Sequence, residues 1–172
     1  MDYRTFLIAV AMAAAAVPAS AAPVDADQDA DGEILILAPL TLTKIEDLDF
    51  GAVVPSPVSG FVSINATTGA RVIGGGLTGV PSDIGQRAYF GGAGSAGQQV
   101  FVAVNPPLQL TSTTNPADTI MVLAMPIQGL ALKTIDPVTR SFFFGVGGII
   151  NVGANQPEGL YEATFEVTAS YL

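Results

Sequence analysis

The chain contains neither histidine nor cysteine. Ser–His–Asp and Cys–His catalysis are therefore closed to it, as are the usual nitrogen- and sulfur-ligated zinc sites. Carboxylates and glycine-rich turns are what remain. Paired acids can hydrolyse a glycosidic bond when they flank a cleft. Outside the N-terminal stretch acids are few here, and Glu162 and Glu166 fall on the polar set of an alternating run, which reads as a solvated strand face. Gly92-Ala93-Gly94-Ser95-Ala96-Gly97 has the spacing G-x-G-x-x-G. That fingerprint holds a pyrophosphate only where a helix N-terminus follows, and here the β-run from Gln98 to Val104 follows instead, so the segment reads as a loop between strands. Asp27-x-Asp29-x-Asp31-Gly32 matches the front half of a calcium loop, but the twelfth position is Ala38 where a bidentate Glu is needed. The stretch reads as a solvated acidic arm with at most weak affinity for cations. The expectation is a protein with no cofactor, no resident metal and no enzymatic role.

The elements around these residues read as strands. Strand-type runs recur over residues 60–65, 99–104, 108–111, 119–125, 141–152 and 160–171, and no helical period stands out beyond the first residues. Turn clusters separate them: Pro55-Ser56-Pro57, Gly74-Gly75-Gly76, residues 91–97, Asn105-Pro106-Pro107, Asn115-Pro116, Asp136-Pro137 and Asn155-Gln156-Pro157. Many short strands joined by Gly/Pro turns predict an all-β sandwich or barrel.

Residues 6–17 form an apolar run too short to cross a bilayer, and Ala19-Ser20-Ala21 after it fits a signal-peptidase site. The expected organisation is a signal peptide at 1–21, an N-terminal arm at 22–38 and one β-domain at 39–172. Loss of the leader removes Asp2 and Arg4 together and leaves the net charge at −9. That balance argues against a nucleic-acid partner, which needs a basic footprint. Without cysteine, stability has to come from the core and from whatever the protein binds.

The last run alternates strictly. Tyr161, Ala163, Phe165, Val167, Ala169 and Tyr171 form one set and Glu162, Thr164, Glu166, Thr168 and Ser170 the other. This predicts a strand with one buried face that reaches the chain end and has a partner on both edges. Gly159 is the fourteenth residue from the C-terminus and Tyr171 the penultimate one. In these offsets the run resembles the C-terminal recognition strand of chaperone–usher pilus subunits. Leu48-Asp49-Phe50-Gly51, Thr68-Gly69-Ala70-Arg71, Phe144-Gly145-Val146-Gly147-Gly148 and Gly159-Leu160-Tyr161 extend the likeness. Across residues 38–172 the chain resembles a family of small secreted β-domains of Gram-negative bacteria. That family is in turn similar to the spore-coat-U-like subunits of archaic chaperone–usher pili.

The resemblance implies an immunoglobulin-like sandwich lacking one strand, which is supplied in trans. A periplasmic chaperone fills the gap first, and the N-terminal arm of a neighbouring copy then replaces it at an outer-membrane usher. On that footing Gly159, Tyr161, Ala163, Phe165, Val167, Ala169 and Tyr171 form the groove and chaperone-contact strand. Ile34, Ile36 and Ala38, the more continuous apolar frame of residues 33–42, form the donor strand, which ends near Pro39 because proline cannot donate a ladder hydrogen bond. The implied product is a surface fimbria or pilus used for adhesion or biofilm formation. The alternative is a self-complete secreted β-sandwich, acting as a coat protein or binding module, in which residues 33–42 are its own first strand.

Overall fold

The computed structural model describes residues 31–172, so the expected leader and most of the acidic arm lie outside the described residues. The chain divides into units at 1–35 and 36–172. Of the first, only residues 31–35 are described; they carry no regular structure, and Ile34 and Leu35 are exposed.

Among the described residues every strand lies in the second unit and there is no helix. In chain order the strands are β1 (Thr41–Glu46), β2 (Val53–Val54), β3 (Gly60–Ile64), β4 (Arg71–Gly75), β5 (Thr78–Gly79), β6 (Ala88–Ala93) and β7 (Gln99–Asn105). Then follow β8 (Gln109–Ser112), β9 (Thr119–Ala124), β10 (Leu132–Thr134), β11 (Ser141–Val146), β12 (Gly148–Val152), β13 (Tyr161–Glu162) and β14 (Glu166–Tyr171). They form antiparallel sheets in the orders β1-β6-β11, β10-β7-β14, β13-β8-β9-β12-β3-β4 and β2-β5. This is the all-β sandwich that the strand spacing predicts.

Three sequence runs leave one sheet and enter another. β7 and β8 are separated by Pro106-Pro107-Leu108, where the two prolines remove ladder donors. β11 and β12 are separated by Gly147 alone, whose N–H is turned aside to Pro126 O at 2.9 Å. A side chain at Gly147 would stand 2.2 Å from Ile64 O, so only glycine permits the crossing. β13 and β14 are separated by residues 163–165. The single strand expected over residues 160–171 is therefore two strands in different sheets. The alternation continues through the break because Phe165 and Val167 still face apolar side chains. The expected second partner is also absent: among the described residues β14 pairs with β7 alone and forms a sheet edge.

Two glycine clusters expected as turns lie partly in strands. Gly74 and Gly75 belong to β4, and Gly91 and Gly92 to β6. A Cβ at Gly74 would lie 2.3 Å from the Phe61 ring and one at Gly92 2.3 Å from the Phe142 ring. The missing side chain makes room for the aromatic ring of the adjacent strand. Gly94-Ser95-Ala96-Gly97 is the true connection between β6 and β7, and no helix follows it.

Two apolar clusters result. The first joins Ala88 and Phe90 of β6, Val100 and Val102 of β7, Ile135, and Phe142, Phe144 and Val146 of β11. Leu40 and Leu42 pack on it from the first strand region and Val167, Ala169 and Tyr171 from the last. The second joins Val62, Ile120, Ile150 and Val152 on one face of the six-stranded sheet. Phe144 is fully buried, with its ring 5.4 Å from Phe90 and 6.2 Å from Phe142. Phe144→Ala is expected to cost about 3–5 kcal/mol in urea denaturation, from lost transfer energy and a residual cavity. Phe143→Ala, at a ring 54% exposed, should cost well under half as much.

Candidate functional site

A groove of about 1060 Å³ lies over the second cluster. Val62, Leu110, Ile120, Val122, Ile150 and Val152 form its base. Two stretches border it, residues 47–53 and residues 156–165. One follows the first strand and the other precedes the last, so both ends of the domain's chain contribute to the site.

The border at 47–53 is built from main-chain constraints. Asp49 and Gln86 exchange main-chain hydrogen bonds at 2.9 and 2.8 Å, and Asp49 Oδ1 accepts from Gly51 N at 2.8 Å. Gly51 has φ 66°, a left-handed conformation that a side chain would strain. Arg71 Nη1 donates to Asp83 O at 2.8 Å, Ala52 O at 3.1 Å and Phe50 O at 3.4 Å, and Nη2 donates to Val80 O at 3.1 Å. One guanidinium thus ties two loops together through four carbonyls. A planar fork of donors can do this and an ammonium cannot. Leu48 and Phe50 are thereby held over Gly148, where a Cβ would meet the Phe50 ring at 2.5 Å. Three sequence motifs, at 48–51, 68–71 and 144–148, converge on this border.

The border at 156–165 is fixed by side chains. Gln156 Nε2 donates to Thr119 O at 3.2 Å and Tyr161 Oη at 3.0 Å, while its Oε1 accepts from Gly153 N at 3.2 Å. Tyr161 Oη donates to Pro157 O at 2.8 Å. Gly159 has φ 149°, and a Cβ there would approach nothing closer than Ser112 Oγ at 3.4 Å, so glycine is required by the backbone angle and not by space.

The expected groove strand divides in two. Gly159, Tyr161, Ala163 and Phe165 line the groove. Val167, Ala169 and Tyr171 pack into the first cluster of their own domain instead. Phe165 serves both, with its ring edge-on to Phe90 at 6.3 Å. Tyr171 Oη accepts from Ser95 N at 2.7 Å and donates to Ala38 O at 2.8 Å. Ala38 N in turn donates to Ser95 Oγ at 2.7 Å. Of the three expected donor residues, Ile34 and Ile36 are 83% exposed, and Ala38 commits both main-chain polar groups to its own domain. Sequence reasoning assigned no role to Leu48, Phe50, Arg71 or Gln156. The motif at 48–51 was visible, but the pairing of Arg71 with carbonyls leaves no pattern in a sequence.

Electrostatically the groove is one-sided. Asp47, Asp49, Asp83, Glu158 and Glu162 are among its lining residues, and no Lys or Arg is. The shifted titrations lie elsewhere: N–H groups of Thr139 and Val138 hold the Asp136 carboxyl below its usual range, and burial lowers Lys133. Among the described residues no three potential metal ligands cluster.

Arg71→Met keeps the stem and removes the donors. It is expected to destabilise the domain by at least about 2 kcal/mol, because hydrogen bonds to a charged group are lost and carbonyls are left unpaired. Hydrogen exchange should localise the loosening to Gly51 and Ala52 while the amides of β11 stay protected.

No curated protein and no solved structure matches the chain. One family model does, over residues 40–171, and its description is "Domain of unknown function (DUF4402)". That span runs from the residue before β1 to the last residue of β14 and takes in both borders of the groove. By this match the chain belongs to the DUF4402 family.

Proposed function

We propose that the protein is a structural subunit of a cell-surface fimbria or pilus, exported through the periplasm and assembled by strand donation between copies, serving adhesion or biofilm formation. The observation that carries this reading is the groove. An antiparallel sandwich normally packs each apolar sheet face against another layer, and here a concavity bordered by the two terminal regions of the domain lies over the buried second cluster. The edge position of β13 supports it, since both its residues line the groove and an open edge templates another strand. Donation from one copy to the next is head-to-tail and does not close on itself, so it yields a fibre. A periplasmic chaperone and an outer-membrane usher are the implied partners.

Ile34 and Ile36 are the donor side chains in this reading, with Ala38 marking where the arm joins its own domain. Two buried isoleucines contribute only about 3–6 kcal/mol, so long-lived fibres also need the main-chain ladder. The competing reading is a self-complete secreted sandwich acting as a coat protein or binding module. The tie between Ala38, Ser95 and Tyr171 favours it, because it fixes residues at the base of the arm within one chain.

The double variant Ile34→Asp/Ile36→Asp separates the two. Both side chains are exposed in the subunit, so thermal stability should change by less than about 0.5 kcal/mol equivalent. Sheared surface extracts run unboiled should lose the ladder given by the wild type. Glu166→Lys, on the polar set of the last strand, should keep it. A ladder that survives the double substitution would end the strand-donation reading, and the absence of any ladder from wild-type cells would favour the self-complete sandwich.

A further inference from the structure

The groove lies on one face of the six-stranded sheet, and the opposite face is bare of charge. By register, Gly74, Phe61, Asn151, Met121 and Gln109 stand side by side in one row across β4, β3, β12, β9 and β8. Val72, Ser63, Ile149 and Ala124 form the next row across four of those strands. None of these positions carries Lys, Arg, Asp or Glu. A sheet face turned to water normally sets polar residues outward. Here the large side chains on it are apolar: Phe61 is 40% exposed, Val72 56% and Met121 59%. The Phe61 ring fills the place of a side chain at Gly74, so relief is low toward the β4 edge. The outer face of β6 and β11 differs, because Phe143 stands beside Tyr89, whose ring carries the Arg87 guanidinium at 4.9 Å.

We propose that the uncharged face is where two copies of the chain meet, sheet against sheet across a twofold axis. Net charge of −9 makes copies repel, and a face without charge is where they approach at least cost. An uncharged apolar face is also complementary to itself, as an isologous contact requires. A cationic partner would find no carboxylate there to pair with. Five strands about 4.8 Å apart make the face about 19 Å wide, and two rows of side chains cover a few hundred Å², the size of a functional apolar patch. That is short of the roughly 800 Å² per partner in a stable dimer, so free chains associate reversibly. The contact leaves the groove free and does not depend on what fills it.

The absence of native cysteine permits a direct test. Asn151→Cys places one thiol at the centre of the face, and Val138→Cys places one at an 86% exposed position between β10 and β11. Both are made in the chain from residue 22 carrying Ile34→Asp/Ile36→Asp, which removes the proposed donor side chains. The rate of air oxidation to a disulfide-linked dimer is divided by each thiol's rate with a small disulfide reagent. The Asn151→Cys chain should dimerise about tenfold faster than the Val138→Cys chain, the factor that a modest apolar contact gives. About 0.5 M NaCl should raise its rate further, because repulsion between the acidic copies is screened. Adding Val72→Glu/Met121→Glu should return it to the Val138→Cys rate, with thermal unfolding unchanged since both sites are exposed. Sedimentation velocity of the cysteine-free chain gives a second reading: its mean coefficient should rise with concentration in high salt, and Val72→Glu/Met121→Glu should remove the rise. Equal normalised rates at the two cysteines would overturn the inference, as would an excess that survives the two Glu substitutions. A concentration dependence that those substitutions leave intact and Phe143→Glu removes would also overturn it, by placing the contact on the other outer face.

Discussion

A β-sheet with one apolar face has to bury that face, and the six-stranded sheet of this protein does so beneath two borders drawn from residues 47–53 and 156–165. Val62, Ile120, Ile150 and Val152 are buried by their neighbours in the sheet and by two thin borders, and the space between those borders is open. Most of the remaining architecture follows from this cover. The first cluster is enclosed by strands on both sides and anchors the domain through stacked Phe90, Phe142 and Phe144. The second depends on what Leu48, Phe50, Tyr161 and Phe165 can shield.

The borders are stiff for different reasons. One is held by its main chain through Arg71, beside the apolar contacts of Leu48, Phe50 and Val53. A cation with no carboxylate partner but four carbonyl acceptors is satisfied only while both loops stay in place. The other is held by the Gln156–Tyr161 network and by the backbone angle at Gly159. In the proposed strand-acceptor reading, a groove with fixed borders would lose little order when an extended segment enters.

Tyr171 and Phe165 lie six residues apart with different duties. Tyr171 closes the sandwich at one end by joining Ser95 and Ala38, whereas Phe165 stands where the first cluster gives way to the groove. The domain is thus tied where its arm departs and open where the terminal regions border the second cluster. Strand donation between copies, as proposed, would use the open part without undoing the tied part.

Much of the fold was legible in the residues. Short apolar and β-branched runs at residues 60–65, 99–104 and 119–125, set between Gly/Pro turn clusters, specify strands. The absence of histidine and cysteine determined which chemistries were closed. The place of Gly159, Tyr161 and Phe165 in or just before the alternating run could also be read, and all three line the groove. Other features were decided only in three dimensions. Gly74 and Gly92 read as turn residues, and they lie in strands because Phe61 and Phe142 fill the space beside them. The final run reads as one strand, and it divides between sheets at 163–165 without any break in its pattern. Alternation reports which face of a strand is apolar and not which neighbour covers it. For that reason Val167, Ala169 and Tyr171 went to their own core while Tyr161 and Ala163 went to the groove. The reach of Arg71 to carbonyls in two separate loops was equally hidden, because a main-chain acceptor has no residue type to betray it.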